Sequence, residues 1–172
     1  MTRHITIFGS SRIPNNDPQY IDIQQLANAI GQRGWHGIVG GHQGAMAAFS
    51  QGMREAGAHV RGYTVSCFPT PSNHTLTEEI STDHFFQRMQ LLIEEADAYL
   101  VLPGGLGTLA ELAMVWDLLA IGALKARPCI LYGDQWPAII AILNNNLYLS
   151  VDHAAQMLTL CTTHDEVLAH LT

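Results

Sequence analysis

Lysine, cysteine and charge are all scarce in this sequence, and the charge balance excludes one class of partner. The 172 residues carry eight Lys and Arg against fifteen Asp and Glu, which gives a formal net charge of −7. A nucleic-acid-binding surface needs a basic footprint to neutralise phosphates, so we expect no nucleic acid as a partner. A small anionic ligand is compatible with the charge, because one phosphate needs only local donors.

The three cysteines and nine histidines form no metal-binding spacing. Cys67, Cys129 and Cys161 make no CxxC pair, and the histidines show no HxxxH pattern. We therefore expect no metal ion and no resident cofactor. An odd number of cysteines without a recognisable secretory leader predicts reduced thiols and a cytoplasmic location.

Long hydrophobic runs are also missing. The longest candidate, residues 112–124, is interrupted by Asp117, so we expect no contact with a membrane. The composition is nevertheless 48% hydrophobic and only 13% charged. Because a small soluble monomer has a large surface to cover with polar groups, this predicts a homodimer or a higher homo-oligomer.

Short apolar runs alternate with longer amphipathic segments along the chain. The predicted strands are residues 5–8, 37–40, 59–65, 98–102, 129–132 and 157–161. The predicted helices are residues 19–33, 44–56, 83–95, 109–121, 137–144 and 165–171, and residues 68–77 read as a loop. Continuous apolar runs are typical of strands buried on both faces. The pattern predicts one α/β domain over residues 1–172, a doubly wound, mostly parallel sheet with helices on both faces.

Three of the predicted strands end in turns rich in glycine or other small residues. These turns are residues 8–11, 39–44 and 102–108. Ligands of doubly wound sheets bind beyond the carboxyl ends of the strands, where all three turns are expected. An isolated glycine is often only a turn former, but three such turns on one edge favour a binding site.

The third turn reads Pro-Gly-Gly-Leu-Gly-Thr over residues 103–108 and has the character of a phosphate cradle. Its glycines let backbone N–H groups approach an anion, and the next helix points its positive end there. Thr108 and Glu111 also fit the capping-box pattern Thr-x-x-Glu, which predicts that Glu111 caps its own helix. A carboxylate fixed there would be rigid and ionised beside the bound phosphate.

Arg88 lies on the preceding predicted helix, at the border of an apolar stripe. The stripe consists of Phe85, Phe86, Met89, Leu92, Ile93 and Ala96. One interpretation is a boundary arginine that lays its stem along the core. The other is a guanidinium that reaches over the strand edge toward a phosphate or a sugar.

Other site patterns are weaker. Residues 105–110 satisfy a loose GxGxxA dinucleotide pattern, but they follow a late strand and lack the expected acidic residue about twenty positions on. No Gly-Lys-Ser/Thr occurs, so a P-loop is absent. His42 lies in the second turn, where a solvated loop histidine is expected.

The nine residues Pro-Gly-Gly-Leu-Gly-Thr-Leu-Ala-Glu, 103–111, resemble the PGGxGTxxE signature of the LOG family. Members are Rossmann-like, at least dimeric cytokinin riboside 5′-monophosphate phosphoribohydrolases, often mislabelled lysine decarboxylases. The resemblance covers nearly the whole chain, including the turn at residues 8–11, Met46, Arg88 and Trp116.

The resemblance implies hydrolysis of the N-glycosidic bond of AMP or an N6-modified AMP. It implies that Arg88 and Glu111 are the catalytic pair. The residues expected to contact the nucleotide are Gly9, Ser10, Gly41, Gly44, Met46, Pro103, Gly104, Gly105, Gly107 and Thr108. A developing oxocarbenium-like sugar is the kind of charge that an adjacent carboxylate stabilises.

Two departures from the family pattern leave an alternative open. The second turn, usually GGGxxGLMG, is one residue shorter here, and Met89 replaces the lysine that usually follows the catalytic arginine. These departures favour a non-catalytic carrier of a nucleotide or of the molybdenum cofactor. Decarboxylation with pyridoxal phosphate is rejected, because the only lysine, Lys125, is expected at the opposite edge of the sheet.

Overall fold

Strands and helices alternate along the chain. In the computed structural model, which describes residues 2–68, 71–148 and 153–171, there are seven strands and six α-helices. The strands are β1 (Arg3–Phe8), β2 (Trp35–Val39), β3 (Val60–Val65), β4 (Glu78–Thr82), β5 (Ala98–Val101), β6 (Cys129–Tyr132) and β7 (Leu158–Cys161). The helices are α1 (Pro18–Gln32), α2 (Ala45–Glu55), α3 (Phe85–Glu94), α4 (Leu106–Ala120), α5 (Trp136–Asn146) and α6 (His164–Ala169).

The strands form one parallel sheet in the order β4-β3-β2-β1-β5-β6-β7. The predicted doubly wound architecture is therefore confirmed, with every pairing parallel. Strand order reverses between β1 and β5, which places the crevice of a topological switch point between the turns that follow these two strands.

The sheet is covered on both faces. One core cluster packs α1, α2 and α6 against the sheet, and a second packs α3, α4 and α5 against the other face. All four residues of β5 are completely buried, which explains why its sequence is a continuous apolar run. No helix among the described ranges is long and apolar enough to cross a bilayer.

The sequence interpretation missed β4. Its residues, Glu-Glu-Ile-Ser-Thr, are mostly polar and half-exposed, because β4 is an edge strand that pairs only with β3. An edge strand of this kind carries no apolar run from which to predict it. The predicted loop before it is present where described, and Pro69 and Thr70 lie outside the described residues.

The apolar stripe predicted on α3 is only partly buried. Met89, Leu92 and Ile93 belong to the core, but the side chains of Phe85 and Phe86 are 54% and 78% exposed. The two rings lie in the first turn of α3, so the stripe is buried only farther along the helix.

Close packing of α1 on α2 depends on Gly52, and this leads to a first prediction. A Cβ atom at Gly52 would lie 2.0 Å from the carbonyl oxygen of Gln24. We expect Gly52→Ala to lower the free energy of unfolding by about 1–2 kcal/mol, because overpacking outweighs the gain of about 1 kcal/mol in helix propensity. Urea denaturation measures the change. The matched control is Gly107→Ala in α4, where a Cβ meets nothing within 4 Å; an equal loss there would contradict the packing explanation.

Candidate functional site

Three turns meet at the carboxyl edge of the sheet, as the sequence predicts. We call residues 9–12 the first turn, residues 40–44 the second turn and residues 103–105 the third turn. The backbone N–H of Ser10 donates to the carbonyl of Pro103 at 3.1 Å, which joins the first turn to the third. The N–H of Ala45 donates to the carbonyl of Ser10 at 2.8 Å, which joins the first turn to the second.

Glycine is required where the first two turns touch. Gly44 has φ +57°, and a Cβ atom there would lie 2.2 Å from the carbonyl oxygen of Ser10. A Cβ at Gly9 would lie 2.7 Å from the Cβ of Ala45. The structure therefore brings Gly9, Ser10 and Gly44 together, and the small residues keep the two turns in contact. Gly41 faces the side chain of Met46, whose sulfur lies 3.3 Å from a Cβ built at Gly41.

The third turn leads directly into α4. Gly105 precedes the helix, and no side chain caps it. The first N–H groups of a helix have no partner within the helix, so those of residues 105–108 point outward from the sheet edge. Gly105 and Gly107 are exposed, and a Cβ at either would meet nothing within 4 Å. The start of α4 is thus an open, uncapped helix N-terminus.

The predicted capping box is wrong. Because α4 begins at Leu106 rather than near Leu109, Thr108 lies inside the first turn of the helix and cannot precede it. The chain reverses its direction within the glycines of the third turn, so α4 starts three residues earlier than predicted. The Thr108 side chain instead packs over the turn, where a Cβ at Gly104 would lie 2.1 Å from its hydroxyl oxygen. Glu111 is therefore free of a capping role.

Arg88 is buried at the junction of α3 with the sheet edge, with only 9% of its surface exposed. Its Nη2 donates to the carbonyl of Gly40 at 2.7 Å, and its Nε donates to the carbonyl of Tyr63 at 3.0 Å. Its Nη1 lies 3.7 Å from Oε1 of Glu111 on α4. Arg88 is therefore buried at the core edge, as the first interpretation expects, and its charge also lies near the carboxylate of Glu111. A contact of Arg88 with a phosphate or a sugar stays a prediction.

Burial governs the charge state of Glu111. Loss of solvent raises the pKa of Glu111 to about 7, and the positive charge of Arg88 limits that rise. Burial also lowers the pKa of the Arg88 guanidinium, against the opposing effect of Glu111, and arginine still stays protonated at neutral pH. The expectation of an ionised Glu111 took no account of this burial.

Two contacts of this site were missed in the sequence. A Cβ at Gly40 would lie 2.0 Å from Nη2 of Arg88, so a glycine is needed there for the guanidinium to reach the carbonyl. Gln135, at the start of α5, donates from Nε2 to the carbonyl of Gly104 at 3.2 Å. Gly40 lies in a glycine-rich turn that is predicted to be part of a binding site. Nothing local in the sequence indicates the contact of Gln135.

His42 does not lie in solvent as expected. It is half-buried and stacks on His74, with ring centroids 5.9 Å apart. Its Nδ1 is buried and has no hydrogen-bond partner among the described residues. Stacking between two residues that lie far apart in the chain leaves no local pattern in the sequence.

Lys125 lies where predicted, exposed in the segment that leads into the amino end of β6. Because β6 is parallel to the other strands, this lysine is at the edge opposite Glu111. A Schiff base at the candidate site is therefore excluded by its position. Within the ranges that the structure describes, no three His, Cys, Asp or Glu side chains are placed to hold a metal ion.

This chain is similar in sequence to known proteins. The family model described as "Possible lysine decarboxylase" matches residues 46–171. The cytokinin riboside 5′-monophosphate phosphoribohydrolase of Mycobacterium tuberculosis is 36% identical over 130 residues, which are 69% of this chain and 66% of that protein. The corresponding protein of Mycobacterium marinum is 36% identical over 110 residues, 58% of this chain and 57% of that protein. The matched segments thus span less than two thirds of these two relatives.

The fold is shared more widely than the sequence. The molybdenum cofactor carrier protein of Chlamydomonas reinhardtii superposes with a TM-score of 0.76 at 20% identity, over 99% of this chain and 96% of that one. That likeness shows the fold alone. The match of the family model over most of the chain and the 36% identity to the M. tuberculosis enzyme show that this protein belongs to the LOG family.

Proposed function

We propose that this protein hydrolyses the N-glycosidic bond of a nucleoside 5′-monophosphate to give the free base and ribose 5-phosphate. The observation that carries the proposal is the contact of Arg88 with Glu111, because this carboxylate lies on α4, the helix that begins at the uncapped N-terminus. The names of the two mycobacterial relatives support it. The substrate in this proposal is AMP or a modified AMP.

The start of α4 is the proposed phosphate site. Its outward N–H groups and the positive end of the helix dipole both favour an anion. The exposed Gly105 and Gly107 leave room for phosphate oxygens to approach the backbone. Gln135 supports the site by holding the carbonyl of Gly104. Binding the phosphate there would position the sugar and restrict its motion before reaction.

Glu111 is proposed to act on the sugar, and Arg88 is proposed to act through Glu111. As the bond from C1′ to the base nitrogen breaks, positive charge develops on C1′ and the ring oxygen, and an ionised Glu111 would stabilise it. The same carboxylate would orient the water that adds to C1′, while the proton of that water leaves to the medium or to the base. Arg88 acts as a positioning residue, because its charge favours the ionised form of Glu111.

Removal of the Glu111 charge should abolish base release but preserve binding. We expect Glu111→Gln to lower kcat by at least about a hundredfold with AMP or N6-modified AMP, because the carboxylate acts on the transition state. Free base is measured by chromatography, and AMP affinity by calorimetry. Glu94→Gln, an exposed change on α3, is the matched control and should retain full activity. Tight AMP binding by the folded wild type without release of any base would instead favour the carrier alternative.

The pH dependence should follow the carboxyl group of Glu111. Because the reacting form is ionised and its pKa is about 7, we expect kcat/KM to rise with pH through about 7 and then to level off. The phosphate of the substrate titrates near pH 6, so the pH dependence of AMP binding to Glu111→Gln is measured to separate that contribution. A kcat/KM that falls as pH rises through 7 would show that protonated Glu111 acts as an acid instead.

We also propose that the protein is a homodimer, joined through the exposed faces of α3 and α4. These helices carry large apolar side chains in solvent, and their exposed fractions are 78% for Phe86, 83% for Leu106 and 55% for Ile121, just after α4. Large apolar side chains that are exposed in this way favour an interface with a second copy of the chain. The unpaired thiols of Cys67, Cys129 and Cys161 support the further proposal of a cytoplasmic location.

The mass of the assembly in solution tests the proposed interface. We expect light scattering to give twice the mass of a single chain for the wild type and a single-chain mass for Phe86→Asp, because a buried unpaired charge opposes association. Phe68→Asp is the control, since Phe68 is 68% exposed in the loop after β3. Dissociation by both variants, or by neither, would contradict an interface at α3 and α4.

A further inference from the structure

The loop that follows β6 reaches back to the third turn. Gln135 lies where this loop enters α5, and its Nε2 donates to the carbonyl of Gly104 at 3.2 Å. Because β5 and β6 are parallel neighbours in the sheet, the turns that follow them lie side by side at its carboxyl edge. The proposed phosphate site therefore receives a side-chain hydrogen bond from the loop of the neighbouring strand.

The position of Gln135 is fixed by the residues around it. Gly133 has φ +126°, and a Cβ atom there would lie 2.8 Å from Cγ of Pro103, so the loop lies directly against the proline ring. The N–H of Gly133 donates to the carbonyl of Cys161 at 3.1 Å, which joins the loop to the end of β7. The N–H of the buried Trp136 donates to the carbonyl of Gly133 at 3.3 Å. The amide of Gln135 thus reaches the third turn from a rigid base.

The peptide group between Gly104 and Gly105 has two possible orientations. A trans peptide is planar, so its C=O and its N–H point in opposite directions. Rotation of the whole group by half a turn carries φ of Gly105 from −106° to a positive value. Glycine adopts positive φ without strain, whereas residues with a Cβ rarely do. The two glycines of the third turn therefore permit a flip that other residues would oppose.

The flip would reverse the polarity of the proposed phosphate site. In the observed orientation the carbonyl of Gly104 faces Gln135, so the N–H of Gly105 points away from Gln135. Within the ranges that the structure describes, this N–H has no backbone hydrogen-bond partner, which leaves it available to an anion. After a flip, the carbonyl oxygen would point to the side where the N–H now lies and would repel an anion. One peptide group thus decides between attraction and repulsion of phosphate.

We propose that Gln135 is a positioning residue that locks the peptide between Gly104 and Gly105 in the orientation that binds phosphate. The inference rests on the proposed function, because it concerns the phosphate site of that function. Gln135 acts through the N–H of Gly105 and does not itself contact the substrate. Its hydrogen bond to the carbonyl of Gly104 opposes the flip that the two glycines allow.

The test removes the Gln135 donor in two backgrounds, one in which the peptide can flip and one in which it cannot. Gln135→Met keeps a side chain of similar size without the amide. Gly105→Ala opposes the flip, because alanine is strained at positive φ, and its Cβ meets nothing within 4 Å. The probe is inorganic phosphate, whose dissociation constant is measured by NMR titration of the wild type, both single variants and the double variant.

The loss of affinity should depend on the background. We expect Gln135→Met to weaken phosphate binding about tenfold in the wild type, as the binding orientation falls to about a tenth of the molecules. In the Gly105→Ala background the same change should weaken binding less than about twofold, because alanine opposes the flip without Gln135. Gln25→Met, an exposed change on α1, is the matched control and should leave the affinity of the wild type unchanged.

A purely structural role of Gln135 gives a different result. Equal losses in the two backgrounds, or no loss in the wild type, overturn the inference. If Gly105→Ala binds no phosphate, a crystal structure of Gln135→Met without phosphate decides the question. A Gly104 carbonyl that still points toward position 135 in that structure overturns the inference, and a flipped peptide supports it.

Failure of the proposed hydrolysis is distinguishable from failure of this inference. In the first case the wild type releases no base from AMP, but the four phosphate affinities follow the expected pattern and the role of Gln135 stands. In the second case base release continues, and Gln135→Met weakens phosphate binding equally in both backgrounds or not at all. Absence of any phosphate binding to the wild type overturns the phosphate site and the role of Gln135 together.

Discussion

A guanidinium group buried among backbone carbonyls is the constraint on which the functional edge of this protein depends. A buried charge is tolerated only where it is paired and hydrogen-bonded. Arg88 meets this condition with two carbonyls, from Gly40 and Tyr63, and with the carboxylate of Glu111. Three segments must therefore meet at the same height for one side chain to be satisfied: the end of β2, Tyr63 within β3 and the first part of α4.

The same arrangement sets the electrostatic environment of the Glu111 carboxylate. Burial of Glu111 raises its pKa, and the positive charge of Arg88 limits that rise to about 7. The turns complete the site from the other side. Backbone hydrogen bonds through Ser10 fix the first turn between the second and the third, so the helix start and the carboxylate keep a constant relation. The site is thus built from backbone contacts, with few side chains carrying specific roles.

The sequence predicted most of this fold, because buried parallel strands leave continuous apolar runs and glycine turns mark their ends. It also predicted the proximity of Arg88 and Glu111 through resemblance to the LOG family. Four features could not be predicted from it. The edge strand β4 is polar, the true start of α4 depends on how early the glycine turn closes, and the ionisation of Glu111 depends on burial. The stacking of His42 on His74 joins distant segments and has no local signal.

The fit of Gly40 under Arg88 has a consequence for related sequences. No side chain larger than hydrogen fits at position 40 while the guanidinium occupies its place, since even a Cβ would lie 2.0 Å from it. A guanidinium that reaches this carbonyl therefore requires glycine at position 40. A related chain without the arginine has no such requirement in that turn. The residues at positions 40 and 88 together thus indicate whether a relative can hold a guanidinium at this edge of the sheet.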